Sequence, residues 1–227
     1  MNSQAKATSI KNAKQAKAAF TKFIIEGNHP CLMAQTVFKK NQLRVRTYSD
    51  FGSKQTAQKL LSDLRDYLDN YDSESKNFFT FIATFPTSST YSEKQFEEVV
   101  WKQLQNIHNL DNKEWDSAVS SNPESKEFSF SILRKAFYIV GLHPNSSRKA
   151  RQSPLPALVF NLHDQFEKLR KMGAYQKVRD SIRERDTKLQ GNINPMLEDF
   201  GTKNSEARQY SGRAVNAEWK CPFLSKA

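Results

Sequence analysis

Residues 42–48 (QLRVRTY) alternate Leu43, Val45 and Thr47 with Gln42, Arg44 and Arg46, the two-residue period of a half-buried strand. Residues 78–85 (FFTFIATF) carry the strongest strand signal in the chain, with Phe79, Phe81, Ala83 and Phe85 on one face and Phe78 and Ile82 on the other. A central place in a sheet is expected for them. Residues 127–132, 136–142 and 157–161 read as three more short strands lying beside one another. The period changes to that of a helix over residues 12–25, through Ala18, Ala19, Phe20, Phe23 and Ile24, with Gly27 as the stop. Further helices are predicted over residues 32–40, opened by Pro30, and over residues 54–71 through Leu60, Leu61, Leu64 and Leu68. Ser92 and Gln95 stand at capping-box spacing ahead of a stripe of Phe96, Val99, Val100, Leu104 and Ile107. A charged helix follows over residues 163–189, interrupted by Gly173. Beyond Gly191 no period persists, yet Met196, Leu197, Phe200, Tyr210, Trp219 and Phe223 are too many large apolar groups for a solvated tail. Strands and helices occur without strict βαβ repetition. The pattern therefore predicts a single α+β domain over residues 13–227, with a mixed, mostly antiparallel sheet packed by helices and a long irregular C-terminal segment wrapping the core.

A length of 227 residues is enough for one large domain with its own core. Hydrophobic residues are only 37% of the chain, but 16 Phe, 7 Tyr and 3 Trp supply the bulk to close that core. Lys and Arg number 35 against 24 Asp and Glu, a formal charge of +11, which favours acidic ligands such as phosphates and carboxylates. Nucleic acid is a weaker reading of the same charge, because the basic run over residues 168–188 has Asp180, Glu184 and Asp186 mixed into it at helical pairing distance. The first 12 residues read as a flexible basic tail, since no apolar run of a secretory signal follows them. Nor does any stretch reach the roughly 20 apolar residues of a membrane span. Two cysteines, far apart and outside any CxxC pair, argue against a disulfide framework and for a reducing compartment, the cytoplasm.

The signatures of P-loops, dinucleotide folds, serine hydrolases and zinc proteases are all absent. Reactive residue types gather in the turns instead. Cys31 follows Pro30 at a predicted helix start, where the helix dipole lowers a thiol pKa and favours the metal-binding thiolate; the alternative is a buried structural cysteine. His143 stands in the turn after an apolar strand, as a ligand or as a plain turn histidine. Arg148 and Arg151 flank that turn and have the fork geometry for carboxylates, or else form a solvated basic loop. His163, beside Leu162 and Phe166 in a first helical turn, is a ligand or a half-buried side chain, and His108 reads as an ordinary cation near a helix C-terminus. Cys221-Pro222 is a dipeptide that occurs at haem sites and also by chance.

Taken together, several long runs resemble the YqcI/YcgG family: Pro30-Cys31 before a helix, the Trp101 helix running to Leu110-Asp111 and Trp115, and AFYIVGLHPNSSRKAR at residues 136–151. LVFNLHDQFEKLR at 158–170, GNINPMLEDFG at 191–201, SEARQYSGR at 205–213 and the closing WKCPF extend the resemblance over nearly all of the chain beyond the tail. Characterised members, including the N-hydroxylases of guanitoxin and cycloserine biosynthesis, are haem-dependent oxygenases acting on guanidine or amine nitrogens. The resemblance thus implies haem b, dioxygen or a peroxide, an electron donor and a small arginine-like substrate, and a homodimer is compatible with it. A haem-binding or redox-sensing protein without turnover is the alternative. Because thiolate is the strongest electron donor to haem iron, Cys31 is the first choice of axial ligand, with His143 and His163 next. Arg148 and Arg151 are then candidates for the propionates, and Arg208, Tyr210 and Arg213 for shaping the same pocket. Glu198, Asp199 and Glu206 are unranked candidates to receive a cationic substrate group.

Overall fold

The computed structural model describes residues 10–75, 77–88 and 90–226. Most of the expected basic tail, residues 1–9, lies outside the described residues, and Asn12 already caps the first helix by accepting from the Gln15 amide. In chain order the elements are α1 (Ala13–Thr21), α2 (Leu32–Lys39), β1 (Leu43–Thr47), α3 (Lys54–Asp69), β2 (Thr80–Thr84), α4 (Glu93–Leu110), β3 (Phe130–Ile132), β4 (Lys135–Leu142), β5 (Ala157–Leu162), α5 (His163–Lys171), α6 (Tyr175–Gln190) and α7 (Ala207–Tyr210). A π-helical segment, Lys22–Glu26, extends α1 up to Gly27, and a 3₁₀ turn, Lys149–Arg151, precedes β5. The predicted capping box at Ser92 and Gln95 is formed in both directions. Gly173 has a φ of 68°, the left-handed value that separates α5 from α6.

The five strands lie in the order β1-β2-β5-β4-β3, with β1 and β2 parallel and every other pair antiparallel. This is the predicted α+β class with a mixed, mostly antiparallel sheet. β2 is interior and buried along its whole length, but β5 takes the middle position. The strand expected over 127–132 shortens to three residues at the edge. Beyond it the open edge of β4 is met by α7. A Cβ on Gly141 would come 2.7 Å from the Tyr210 carbonyl and 2.9 Å from Phe96, so only glycine permits that approach.

Strand alternation divides the apolar groups between two faces. Phe81, Phe137, Ile139, Leu158 and Phe160 form the main core with Leu60 and Leu64 of α3, Val100 and Leu104 of α4, and Tyr210 and Phe223 of the C-terminal segment. That segment does wrap the core. Its last residues are tied down by His108, whose Nε2 accepts from the Lys226 amide at 2.9 Å; burial lowers its pKa, so His108 is a neutral acceptor rather than the helix-end cation its position predicts. On the opposite face Val45, Ile82, Leu142 and Ala157 pack under Ala16 and Phe20 of α1. Helix α1 covers only part of this face, and the rest opens into a cavity.

Candidate functional site

The cavity, of about 340 Å³, lies between the second sheet face and a roof made by α2, α5, α6 and the segment 194–209. Its floor is Ile82, Val140 and Val159, residues that alternate away from the main core, together with Tyr138, which also touches that core at Tyr210. Phe166 and Leu169 of α5 and Val178 and Ile182 of α6, at helical spacing, supply apolar wall. An apolar enclosure with a few polar groups is the usual form of a small-molecule or cofactor site.

Cys31 is the N-cap of α2 and lines this cavity; its Sγ accepts from the Ala34 amide at 3.4 Å. The turn that carries it is held from several sides. His29 donates from Nε2 to the Ala150 carbonyl at 2.9 Å and accepts the Cys31 amide at Nδ1 at 3.1 Å, so both ring nitrogens are engaged and the tautomer is set. Arg185 of α6 donates to the Asn28 side chain at 2.7 Å and to the carbonyls of His29 and Pro30 at 3.2 Å. Burial raises the Cys31 pKa, against the helix-end amides and the charges of Arg151 and Arg185. The helix start that should favour thiolate is present, and desolvation outweighs it.

His163, the first residue of α5, is 6% exposed and lines the same cavity, with Phe200 edge-on at 4.4 Å. Its Nε2 lies 3.3 Å from Oε1 of Glu167 one turn later. Burial is the larger influence and lowers the imidazole pKa, while Glu167 opposes it, so the ring is neutral and oriented. His143 is elsewhere. It follows β4 one position after cavity-lining Leu142, and so turns to the other face, where it stacks on Phe96 at 4.3 Å with Nδ1 buried and, among the described residues, without a hydrogen-bond partner. The sequence brings these two histidines equally into turns; strand parity separates them.

Arg148 and Arg151 both reach the cavity and differ in what holds them. Arg148 is paired with Asp186 in a buried ion pair and also donates to Asn192. Arg151 donates to the carbonyls of Gly141 at 2.9 Å and Gln209 at 3.2 Å, and among the described residues no carboxylate lies within ion-pairing distance. Burial works against its charge. Arg208, Tyr210 and Arg213 do not line the cavity. Arg208 lies over the Trp219 ring and donates to the Trp219 carbonyl, and Arg213 binds Glu97 of α4 through two nitrogens. Tyr210 is buried in the main core, but its hydroxyl holds a cavity residue, Glu206. Cys221 is half-buried against the main core, its thiol pushed up to about 12 by burial.

Sequence reasoning left the three carboxylates unranked and missed Tyr138. Asp199 is taken by Arg179, Arg183 and Tyr175, and Glu198 accepts from the Asn204 backbone and side chain. Glu206 is 4% exposed, lines the cavity and has a pKa raised to about 8 by desolvation, with hydrogen bonds from Tyr210 and Ser129 and the charge of Arg170 opposing. Tyr138, the one hydrogen-bonding side chain that β4 aims at this face, donates to Gln209 at 3.0 Å, and burial pushes its phenol up to about 12. Strand alternation around residues 136–142 carried the signal for it. A carboxyl pKa raised in the folded state means that the fold holds a proton the unfolded chain has lost. Glu206 therefore subtracts stability progressively as pH rises from its ordinary 4.5 towards about 8. Thermal melting across that range is expected to show a falling component that Glu206→Gln removes.

A model of the YqcI/YcgG family matches residues 20–224. The chain belongs to the YqcI/YcgG family. Within the family it is 27% identical over 203 residues to "Uncharacterized protein YcgG" of Bacillus subtilis (strain 168), covering 86% of this chain and 80% of that protein. It is 24% identical over 205 residues to a Streptomyces lavendulae protein named "Putative N(omega)-hydroxy-L-arginine synthase DcsA", covering 86% of this chain and 77% of that one. No solved structure matches it significantly. The cavity walls at Cys31, Arg148, Arg151, His163 and Glu206 all fall inside the YqcI/YcgG match. No helix among the described residues is long and apolar enough to cross a membrane.

Proposed function

We propose that this protein is a haem-dependent oxygenase that hydroxylates a nitrogen of a small guanidine- or amine-bearing substrate. The observation that carries the proposal is an apolar cavity lined by the Cys31 thiol and two imidazoles, His29 with both ring nitrogens on backbone groups and His163 without such ties, in a chain related over most of its length to a protein named for N(omega)-hydroxy-L-arginine synthesis. The donor set suits haem. Among the described residues no three His, Cys, Asp or Glu side chains converge on a metal position, whereas iron carried by a porphyrin brings four nitrogens of its own and asks the protein for one or two donors.

In this reading His163 would be the protein's donor to the haem iron. It is neutral, which is the ligating form, and the Glu167 carboxylate one turn later fixes the ring as supporting carboxylates do at metal-bound histidines. Cys31, the first choice from sequence, is less prepared, because burial disfavours its thiolate. Arg151 is the group free to take a propionate, since Arg148 is already matched by Asp186. Bound haem would supply activation of dioxygen or peroxide, with electrons from an external donor. The chain's own part is to exclude water with Phe78, Phe166, Leu169 and Ile182, and to hold Tyr138 as a protonated hydrogen-bond donor at any working pH.

A nucleic-acid role finds little support in the arginines of α6. Arg179 and Arg183 are turned onto Asp199 and Arg185 onto the 28–30 turn, so they serve internal contacts rather than an exposed basic face. The test is an absorption spectrum of protein produced with haem supplied, in the ferric, ferrous and carbon monoxide forms, followed by mass spectrometry of reactions with arginine and simple amines plus a reductant. A stoichiometric Soret band and a product heavier by one oxygen are expected. Absence of the band would sink the haem assignment, and a band without product would leave a haem-binding protein that does not turn over.

A further inference from the structure

Glu206 is a buried carboxyl in the cavity wall that makes no ion pair among the described residues. Among the described residues its side-chain partners are uncharged hydroxyls, Tyr210 donating to Oε1 at 2.5 Å with Ser129 beside it; Tyr210 is itself fixed by the Phe130 amide at 3.0 Å and stacked on Trp101 at 5.6 Å. The neighbouring polar side chains are committed elsewhere. Arg170 on α5 is paired with Glu167 and lies 4.1 Å over the Tyr175 ring, and Tyr138 on β4 donates to Gln209. Asp186 and Asp199, the two other acidic side chains in the wall that have arginine partners, show what a neutralised carboxylate looks like in this cavity. A carboxyl that is desolvated, rigidly held and unpaired costs stability unless something else pairs with it.

We infer that Glu206 is the seat for a cationic group of the substrate, a guanidinium or a primary ammonium whose apolar stem lies along Phe166 and Leu169. The inference rests on the oxygenase reading only in calling that ligand a substrate. Entry of a cation converts Glu206 from the acid to the carboxylate, because the charge of the ligand replaces the solvation that burial removed. Selection follows from the same geometry. A neutral isostere of equal shape leaves the carboxyl protonated and forgoes the charge-assisted hydrogen bond.

Isothermal titration calorimetry of the full chain at pH 7, in two buffers of different ionisation enthalpy, tests this for a side-chain cation with L-arginine, L-lysine and L-citrulline, which share the α-ammonium and differ in that only the citrulline side chain is uncharged. At least one cation is expected to bind with release of up to about one proton. Citrulline should bind at least about 10-fold more weakly and release none. Glu206→Gln should weaken the cation by about 10- to 100-fold, abolish the buffer dependence and leave citrulline unchanged. Should that variant fold poorly, the proton count and the citrulline comparison on the unaltered protein decide alone. Equal binding of cation and citrulline without proton release, an unaffected Glu206→Gln, or no binding of either cation overturns the seat. The oxygenase reading fails on a different result, in which arginine binds with proton release and no N-hydroxylated product forms.

Discussion

Replacing His163 with alanine is expected to abolish stoichiometric haem retention, while Cys31→Ala keeps it. The imidazole is buried in the cavity wall, neutral, and oriented by Glu167 at 3.3 Å, so little has to be reorganised for it to donate to iron. The Cys31 thiol is an N-cap whose ionisation burial opposes. Glu167→Gln removes the orienting charge and should weaken haem retention by about 10- to 100-fold, the usual range for a supporting carboxylate. Haem titration followed at the Soret band checks all three. Full retention in His163→Ala together with loss in Cys31→Ala would transfer the ligand role to the thiolate.

A second large effect is expected at Asp186. Its ion pair with Arg148 is nearly as buried as the core, with the two side chains 9% and 10% exposed, and it joins α6 to the 3₁₀ turn beside the cavity. Asp186→Ala leaves the guanidinium desolvated with, among the described residues, only Asn192 as partner, a change that costs about 3–5 kcal/mol. At roughly 2–4 °C per kcal/mol for a chain of this size, the melting temperature falls far outside measurement error. Glu184→Ala, two residues away, is the control: its partner Lys188 is 75% exposed, and such pairs contribute next to nothing. Equal melting temperatures for the two variants would show that the buried pair is not what docks α6. The same docking positions Val178 and Ile182, so ligand affinity should fall with Asp186→Ala.

How far the site could be read in advance depends on the distance over which each cue acts. Pro30 before a helical pattern placed Cys31 at an N-cap, and the Ser92–Gln95 spacing placed the capping box, because caps are closed within four residues. The helix-end rule also predicted a low thiol pKa and a cationic His108, and both failed for the same reason: burial by residues far along the chain outweighs the local dipole. Arg208, Tyr210 and Arg213 share one run of sequence yet serve three separate contacts with Trp219, Glu206 and Glu97.

By itself the amino-acid pattern determined the α+β class, the five strands, the helices as far as residue 190 and the family resemblance, because periodicity, caps and breakers are local properties of the chain; the short α7 beyond it was not foreseen. The tertiary structure alone decided that β5 rather than β2 is central, that His163 joins Cys31 in one cavity while His143 faces away, and that Glu206 rather than Asp199 is left without a cation. These outcomes are set by which distant side chains meet and how much water they exclude, and no window of sequence contains both partners.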